Sequence, residues 1–134
     1  MSDAGPRVRV ELTSDHEIVH ARKAGREIAQ QLGFSTTDQV LIATAISELA
    51  RNIVLHAGGG AIEISTVSSR PGIAIVATDT GPGIRDVELA LQDGYSTGIG
   101  LGLGLPGARR ISDEFMIETR VGHGTSIFFR KYVP

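Results

Sequence analysis

Cysteine and tryptophan are both absent from the 134-residue sequence. No disulfide framework or thiol nucleophile can be built, and the lack of cysteine fits a reducing cytoplasm. Aromatics are scarce, two Tyr and four Phe, which argues against a stacking platform for sugars or single-stranded nucleic acid. Neither sign of charge dominates: 13 Lys plus Arg against 15 Asp plus Glu leave a formal net charge of −2, so no long-range attraction draws the chain to nucleic acid. No apolar run approaches the roughly 18 residues of a membrane span, and Met1 to Arg9 lack the apolar stretch of a signal peptide. The expectation is a cytoplasmic protein with no nucleic-acid or membrane partner. The only lysines are Lys23 and Lys131, so no Walker-type phosphate loop can form, because that loop needs Lys followed by Ser or Thr behind its glycines. What remains is enough chain for one domain spanning 1–134, burying roughly two thirds of its unfolded surface without metal or disulfide support.

The apolar pattern supplies the elements. Val8, Val10 and Leu12 alternate with Arg7, Arg9 and Glu11, the period of a half-buried edge or antiparallel strand. Ile18, Val19, Arg22, Ile28 and Leu32 mark an amphipathic helix from Asp15 to Leu32, with Gly33 placed to cap it. Ser35, with Asp38 three residues on, resembles a capping box and opens a second helix running to about His56, where Gly58-Gly59-Gly60 stops it. Ala61–Val67 and Ile73–Thr78 read as antiparallel neighbours joined by a turn at Ser69-Arg70-Pro71-Gly72. A glycine-rich segment from Arg85 to Leu101 reads as a lid. A third helix from Leu105 to Ser112 follows, then strands near Glu114–Arg120 and Thr125–Tyr132. Strands and helices do not alternate strictly, which disfavours a doubly wound parallel sheet. The expected fold class is α/β (α+β): a two-layer sandwich with a mixed, largely antiparallel sheet and helices on one face.

Four segments carry the chemistry. Ile73 to Ala77 is a short apolar run ending in Asp79, after which Thr80-Gly81-Pro82-Gly83-Ile84 makes a turn with close backbone access; alone, it is an ordinary turn or a ligand pocket. Glu48 and Asn52, four apart, lie about 40° from each other around an ideal helix and share a face, opposite Ile42, Ile46, Leu49 and Ile53. Glu48 either pairs with Arg51 on a solvated flank or stands beside a Mg2+ whose ligand is the Asn52 carbonyl oxygen, which adds no negative charge next to a triphosphate. Gly98, Gly100, Gly102 and Gly104 alternate, with Gly107 three residues on, about a helix N-terminus, a phosphate loop or a flexible hinge. They lack the preceding strand and the downstream acid of a dinucleotide site. Gly122-His123-Gly124-Thr125 is a tight turn between the last strands.

In this order, Glu48–Asn52, Asp79–Ile84, Gly98–Gly107 and Gly122–Thr125 resemble the N, G1, G2 and G3 boxes of the GHKL ATPase/kinase superfamily, whose Bergerat-type fold matches the expected architecture. The short length and the run Ile42-Ala43-Thr44-Ala45-Ile46-Ser47-Glu48-Leu49-Ala50-Arg51-Asn52-Ile53 most resemble the RsbT-type serine/threonine switch kinases, related to RsbW-type anti-sigma kinases. The resemblance implies ATP and Mg2+ as cofactors, with Asn52 on the metal and Glu48 as the catalytic residue that positions or activates a protein hydroxyl. It implies nucleotide contacts from Asn52, Asp79, Gly81, Gly83, Ile84, Gly100, Gly102, Leu103, Gly104 and Thr125. Asp79 would take the adenine amino group, Gly83 would pack beside the base, and Thr125 would support base recognition. The implied partners are a STAS-domain antagonist as substrate, a PP2C-type phosphatase regulator and, in the anti-sigma branch, a sigma factor. The lid holds no lysine for the γ-phosphate, which leaves Arg109 and Arg110 as candidates. A rival from another class is an ATP-gated binding module that sequesters or switches its partner without phosphotransfer.

Overall fold

A computed structural model of the chain describes residues 7–81 and 104–134. Strand β1 (Arg7–Leu12) leads into helix α1 (Asp15–Leu32) and helix α2 (Thr36–Asn52), which continues as a π-helical turn over Ile53–Ala57. Strands β2 (Gly60–Thr66) and β3 (Gly72–Asp79) follow, and after the undescribed stretch come helix α3 (Gly104–Ile111) and strands β4 (Glu114–Arg120) and β5 (Gly124–Tyr132). The sheet order is β1-β2-β3-β5-β4, and all four pairings are antiparallel. β1 is an edge strand, as its alternation predicts. No helix among the described residues is long and apolar enough to cross a membrane.

Local chemistry sets the helix ends. Glu17 Oε1 accepts from the Thr13 and Ser14 amides at 3.0 and 2.8 Å, the reciprocal half of a capping box that pins the start of α1. The expected box on α2 is only half made: Ser35 Oγ accepts from the Asp38 amide at 3.1 Å. The second helix reaches its expected length, but its last turn widens to π geometry and ends at Gly58, with φ 76°.

The core lies between the helices and one face of the sheet. Ile42, Ile46, Leu49 and Ile53 are buried against Ile62, Ile64, Ile73, Ile75 and Phe129. Gly25 lets α1 approach α2 closely, since a Cβ there would overlap the tip of Ile46. Two apolar residues lie outside the core: Val19 on α1 is 53% and Val40 on α2 45% exposed, because the buried stripe of α1 runs through Ile18, Ala21, Gly25, Ile28 and Ala29 and that of α2 begins at Ile42. α3 is anchored to the sheet by its C-terminal end. Lys131 Nζ donates to the Ile111 carbonyl at 2.9 Å, and Asp113 accepts the Tyr132 amide at 2.7 Å.

Candidate functional site

Strand alternation puts Ile73, Ile75 and Ala77 in the core, so Asp79 continues the same face at its polar end. Asp79 is the last residue of β3, flanked in register by Gly60 on β2 and Thr125 on β5. One carboxylate oxygen, Oδ1, accepts two backbone amides, Gly81 at 2.9 Å and Thr125 at 3.3 Å. The second oxygen has no hydrogen bond among the described residues. Two amides on one oxygen fix the carboxylate's orientation and leave the other as an acceptor whose direction is set before any ligand arrives.

Backbone is packed tightly around this carboxylate. A Cβ at Gly124, where φ is 117°, would overlap the Asp79 carbonyl oxygen and stand 2.9 Å from Thr80 Cα. A Cβ at Gly81 would stand 2.7 Å from Ala57 Cα and Cβ. Both glycines thus permit approaches that no other residue allows. The Gly81 contact ties the turn after Asp79 to the end of the π-helical turn, and so to the helix carrying Glu48 and Asn52.

On α2, Asn52 is exposed at the last helical position and Glu48 is half-buried one turn earlier. Arg51 Nη1 donates to Glu48 Oε1, an (i, i+3) ion pair with Arg51 42% exposed. The flank pairing considered from the sequence is therefore present. Among the described residues no three His, Cys, Asp or Glu side chains cluster as a ready-made metal cage; a single exposed amide carbonyl at Asn52 suits a cation such as Mg2+, which keeps most of its waters and binds few protein oxygens. Gly104 starts α3, whose first amides point N-terminally. Arg109 and Arg110 stand exposed in the last turn of that helix, about 8 Å along its axis from Gly104. Gly83, Ile84, Gly100, Gly102, Leu103 and the lid lie outside the described residues.

The structure thus joins Asp79, Gly81 and Thr125 by hydrogen bonds and connects Glu48 and Asn52 to them through α2 and Ala57. Sequence reasoning missed Thr119 on β4, whose Oγ1 lies 2.9 Å from Thr125 Oγ1 and 3.3 Å from the Gly124 carbonyl oxygen. The signal was countable. A loop of Val121 to His123 pairs Arg120 with Gly124 and therefore Thr119 with Thr125.

An antiparallel sheet with helices packed on one face, together with a strand-end carboxylate held by backbone amides, is the architecture of a Bergerat-type ATPase domain. The chain belongs to the family described as "Histidine kinase-, DNA gyrase B-, and HSP90-like ATPase", whose model matches residues 37–134. It is 51% identical over 120 residues to "Serine/threonine-protein kinase RsbT" of Bacillus subtilis (strain 168), covering 88% of this chain and 90% of that relative. An "Anti-sigma F factor" of Caldanaerobacter subterraneus subsp. tengcongensis is 32% identical, covering 84% and 83% of the two chains. Among solved structures, the RsbU and RsbW domains of Rv1364c from Mycobacterium tuberculosis share the fold with a TM-score of 0.67 at 19% identity, over 96% of this chain and 32% of that one. The mycobacterial sensor histidine kinase MprB does so with a TM-score of 0.59 at 15% identity, over 94% and 97%.

Proposed function

We propose that this chain is an ATP-dependent protein serine/threonine kinase that phosphorylates a STAS-domain antagonist in a stress-response partner-switching pathway, and that it also binds a PP2C-type phosphatase activator. The observation that carries the reading is the likeness to the RsbT kinase, 51% over nearly the whole length of both chains, joined to an Asp79 carboxylate preset by two amides. The reading also makes the cytoplasm the site of action.

In this reading Asp79 receives the exocyclic amine of adenine through its remaining oxygen, and Thr125 lies beside it. Gly81 holds the turn after Asp79 against Ala57, with no side chain between them. Asn52 would offer its carbonyl oxygen to Mg2+, and the amides at the start of α3 would meet the phosphates. ATP with Mg2+ supplies the transferable phosphoryl group and neutralises its charge. Glu48 orients the acceptor hydroxyl and takes its proton, for which its carboxylate must turn from Arg51, the more exposed partner of the pair at 42% against 14%. Alignment and electrostatics of this kind supply most of the acceleration in phosphoryl transfer.

The Glu48–Arg51 pair also favours a second reading, in which Glu48 stays engaged and ATP only gates binding of a sigma factor or a phosphatase. Capture of a STAS-domain protein and of a PP2C-type phosphatase, with and without ATP, followed by mass spectrometry for phosphate on Ser or Thr, separates the two. Phosphate on the STAS-domain protein is the expected result. ATP-dependent capture without phosphate would replace the kinase with the binding module.

A further inference from the structure

Ser47 stands next to Glu48 on α2 with its side chain unused. It is 7% exposed, and its hydroxyl oxygen is buried with no hydrogen-bond partner among the described residues. Ala43 and Ala50, about one turn before and one turn after it, are buried and apolar, so an alanine would suit the position. We infer that Ser47 is a positioning residue for phosphoryl transfer: its hydroxyl oxygen takes over the Arg51 guanidinium when Glu48 lets go of it to serve as the base. The inference rests on the kinase reading of Glu48 and deepens it.

Helix geometry puts Arg51 between the two groups. At about 100° per residue, Ser47 lies about 40° to one side of Arg51 around the axis and Glu48 about 60° to the other. Side chains on a helix lean toward its N-terminus, so the Arg51 stem extends over the turn that carries both. Residues three and four positions back are the neighbours such a stem reaches. In the structure the guanidinium takes the nearer in sequence: Nη1 donates to Glu48 Oε1, the one side-chain hydrogen bond that Arg51 makes among the described residues. A guanidinium has five N–H donors and no acceptor, and a serine oxygen has two lone pairs. The unpartnered oxygen four residues back therefore matches a donor group held by a single bond.

The chemistry gives that match a use. In the proposed transfer the acceptor hydroxyl's oxygen bonds to the γ-phosphorus, the bond from that phosphorus to ADP breaks with its electron pair going to ADP, and the hydroxyl proton passes to Glu48. A carboxylate engaged by Arg51 has fewer lone pairs open to that proton, and once protonated it no longer attracts the guanidinium as an anion. A guanidinium with nowhere else to donate would compete with the substrate for Glu48 at every turnover. Ser47 offers the alternative on the same helix, within reach of a side-chain rotation and without backbone movement. Its cost falls on the resting state, because a hydroxyl buried without a partner disfavours the fold.

The test is a double-mutant cycle in the full chain: Ser47→Ala, Arg51→Met and the two together, each measured by thermal unfolding, by calorimetry with ATP and by single-turnover transfer to the STAS-domain protein captured above. Ser47→Ala should raise the melting temperature of the nucleotide-free protein by about 2–4 °C, since it removes an unpaired buried hydroxyl. The same variant should transfer phosphate about three- to tenfold more slowly at unchanged ATP affinity. In Arg51→Met there is no guanidinium to hand over, and adding Ser47→Ala should change the rate by less than about twofold. A lowered melting temperature would mean that the hydroxyl is already partnered in the resting protein and overturns the inference. So does an unchanged rate in Ser47→Ala, or an equal loss in both backgrounds, and each of these leaves the kinase reading standing. Arginine side-chain NMR on Glu48→Gln, whose amide stands in for the protonated carboxyl, reads the handover with no acceptor protein present. There the Arg51 Nε–H should exchange with solvent about fivefold more slowly than in Glu48→Gln/Ser47→Ala, and equal exchange overturns the inference. Failure of the wild-type protein to transfer phosphate would instead remove the kinase reading beneath it.

Discussion

The two halves of the candidate site are built differently. At the end of the sheet, Asp79 is held by two backbone amides between paired strands, with Gly81 and Gly124 filling space that admits no side chain. On α2, Asn52 stands exposed at the helix end, and the half-buried Glu48 is held only by one side chain, Arg51. Under the kinase reading, the first half recognises and the second reacts. A recognition group gains from being fixed in advance, because nothing need be reordered when the ligand arrives. A proton-accepting group that must serve a hydroxyl from another protein gains from a hold it can leave.

Four changes would break or sharpen that contrast, in descending order of effect. Glu48→Gln should leave ATP affinity intact and reduce single-turnover transfer by about 100-fold or more; a normal transfer rate would take Glu48 out of the reactive half. Gly124→Val should destabilise the fold by about 3 kcal/mol or more in urea titration, since overpacking and a positive φ act together. An unchanged unfolding midpoint would show that the sheet end is looser than drawn. Asp79→Asn should cost about 1.5–3 kcal/mol of ATP binding, a tenfold to hundredfold loss by calorimetry, and unchanged affinity would sink Asp79 as the base acceptor.

The smallest effect is a control at the start of α1, far along the chain from either half. Hydrogen bonds from the Thr13 backbone and hydroxyl, and then from Ser14, hold the Glu17 carboxyl below the ordinary glutamate range. A depressed folded value means that this group's stabilisation is fully present above the unfolded value, roughly pH 4, and is lost as pH falls through the folded one. Glu17→Gln should therefore flatten the acid side of the stability profile without altering ATP affinity. A profile identical to wild type would mean that the capping contact contributes nothing in solution.

Much of this was legible in residue order. The first strand, the first helix, the β2–β3 hairpin and the final pair of strands follow from alternation, helical spacing and glycine position. Asp79 ahead of its glycine turn and the Glu48–Asn52 spacing marked the candidate site. Other features were not legible, for identifiable reasons. Val19 and Val40 look like core by type, but burial depends on which stripe meets the neighbouring helix, and the small residues Ala21 and Gly25 set that contact. The π-helical turn after Asn52 gives no signal in composition, since Ile53, Val54 and Leu55 suit an α-helix equally. Thr119 reads as one polar residue in an alternating strand, and only pairing across the hairpin gives it a partner.

The sequence by itself determined the elements, their caps and the residue types available for chemistry, because each of these rests on interactions a few positions long. Tertiary structure decided what those residues face. It brought Gly81 against Ala57, Thr125 against Asp79 across 46 positions of chain, and Thr119 against Thr125. Close packing between distant segments sets these contacts, and the freedom of a hydroxyl proton or a carboxylate oxygen is defined only once its neighbours are in place.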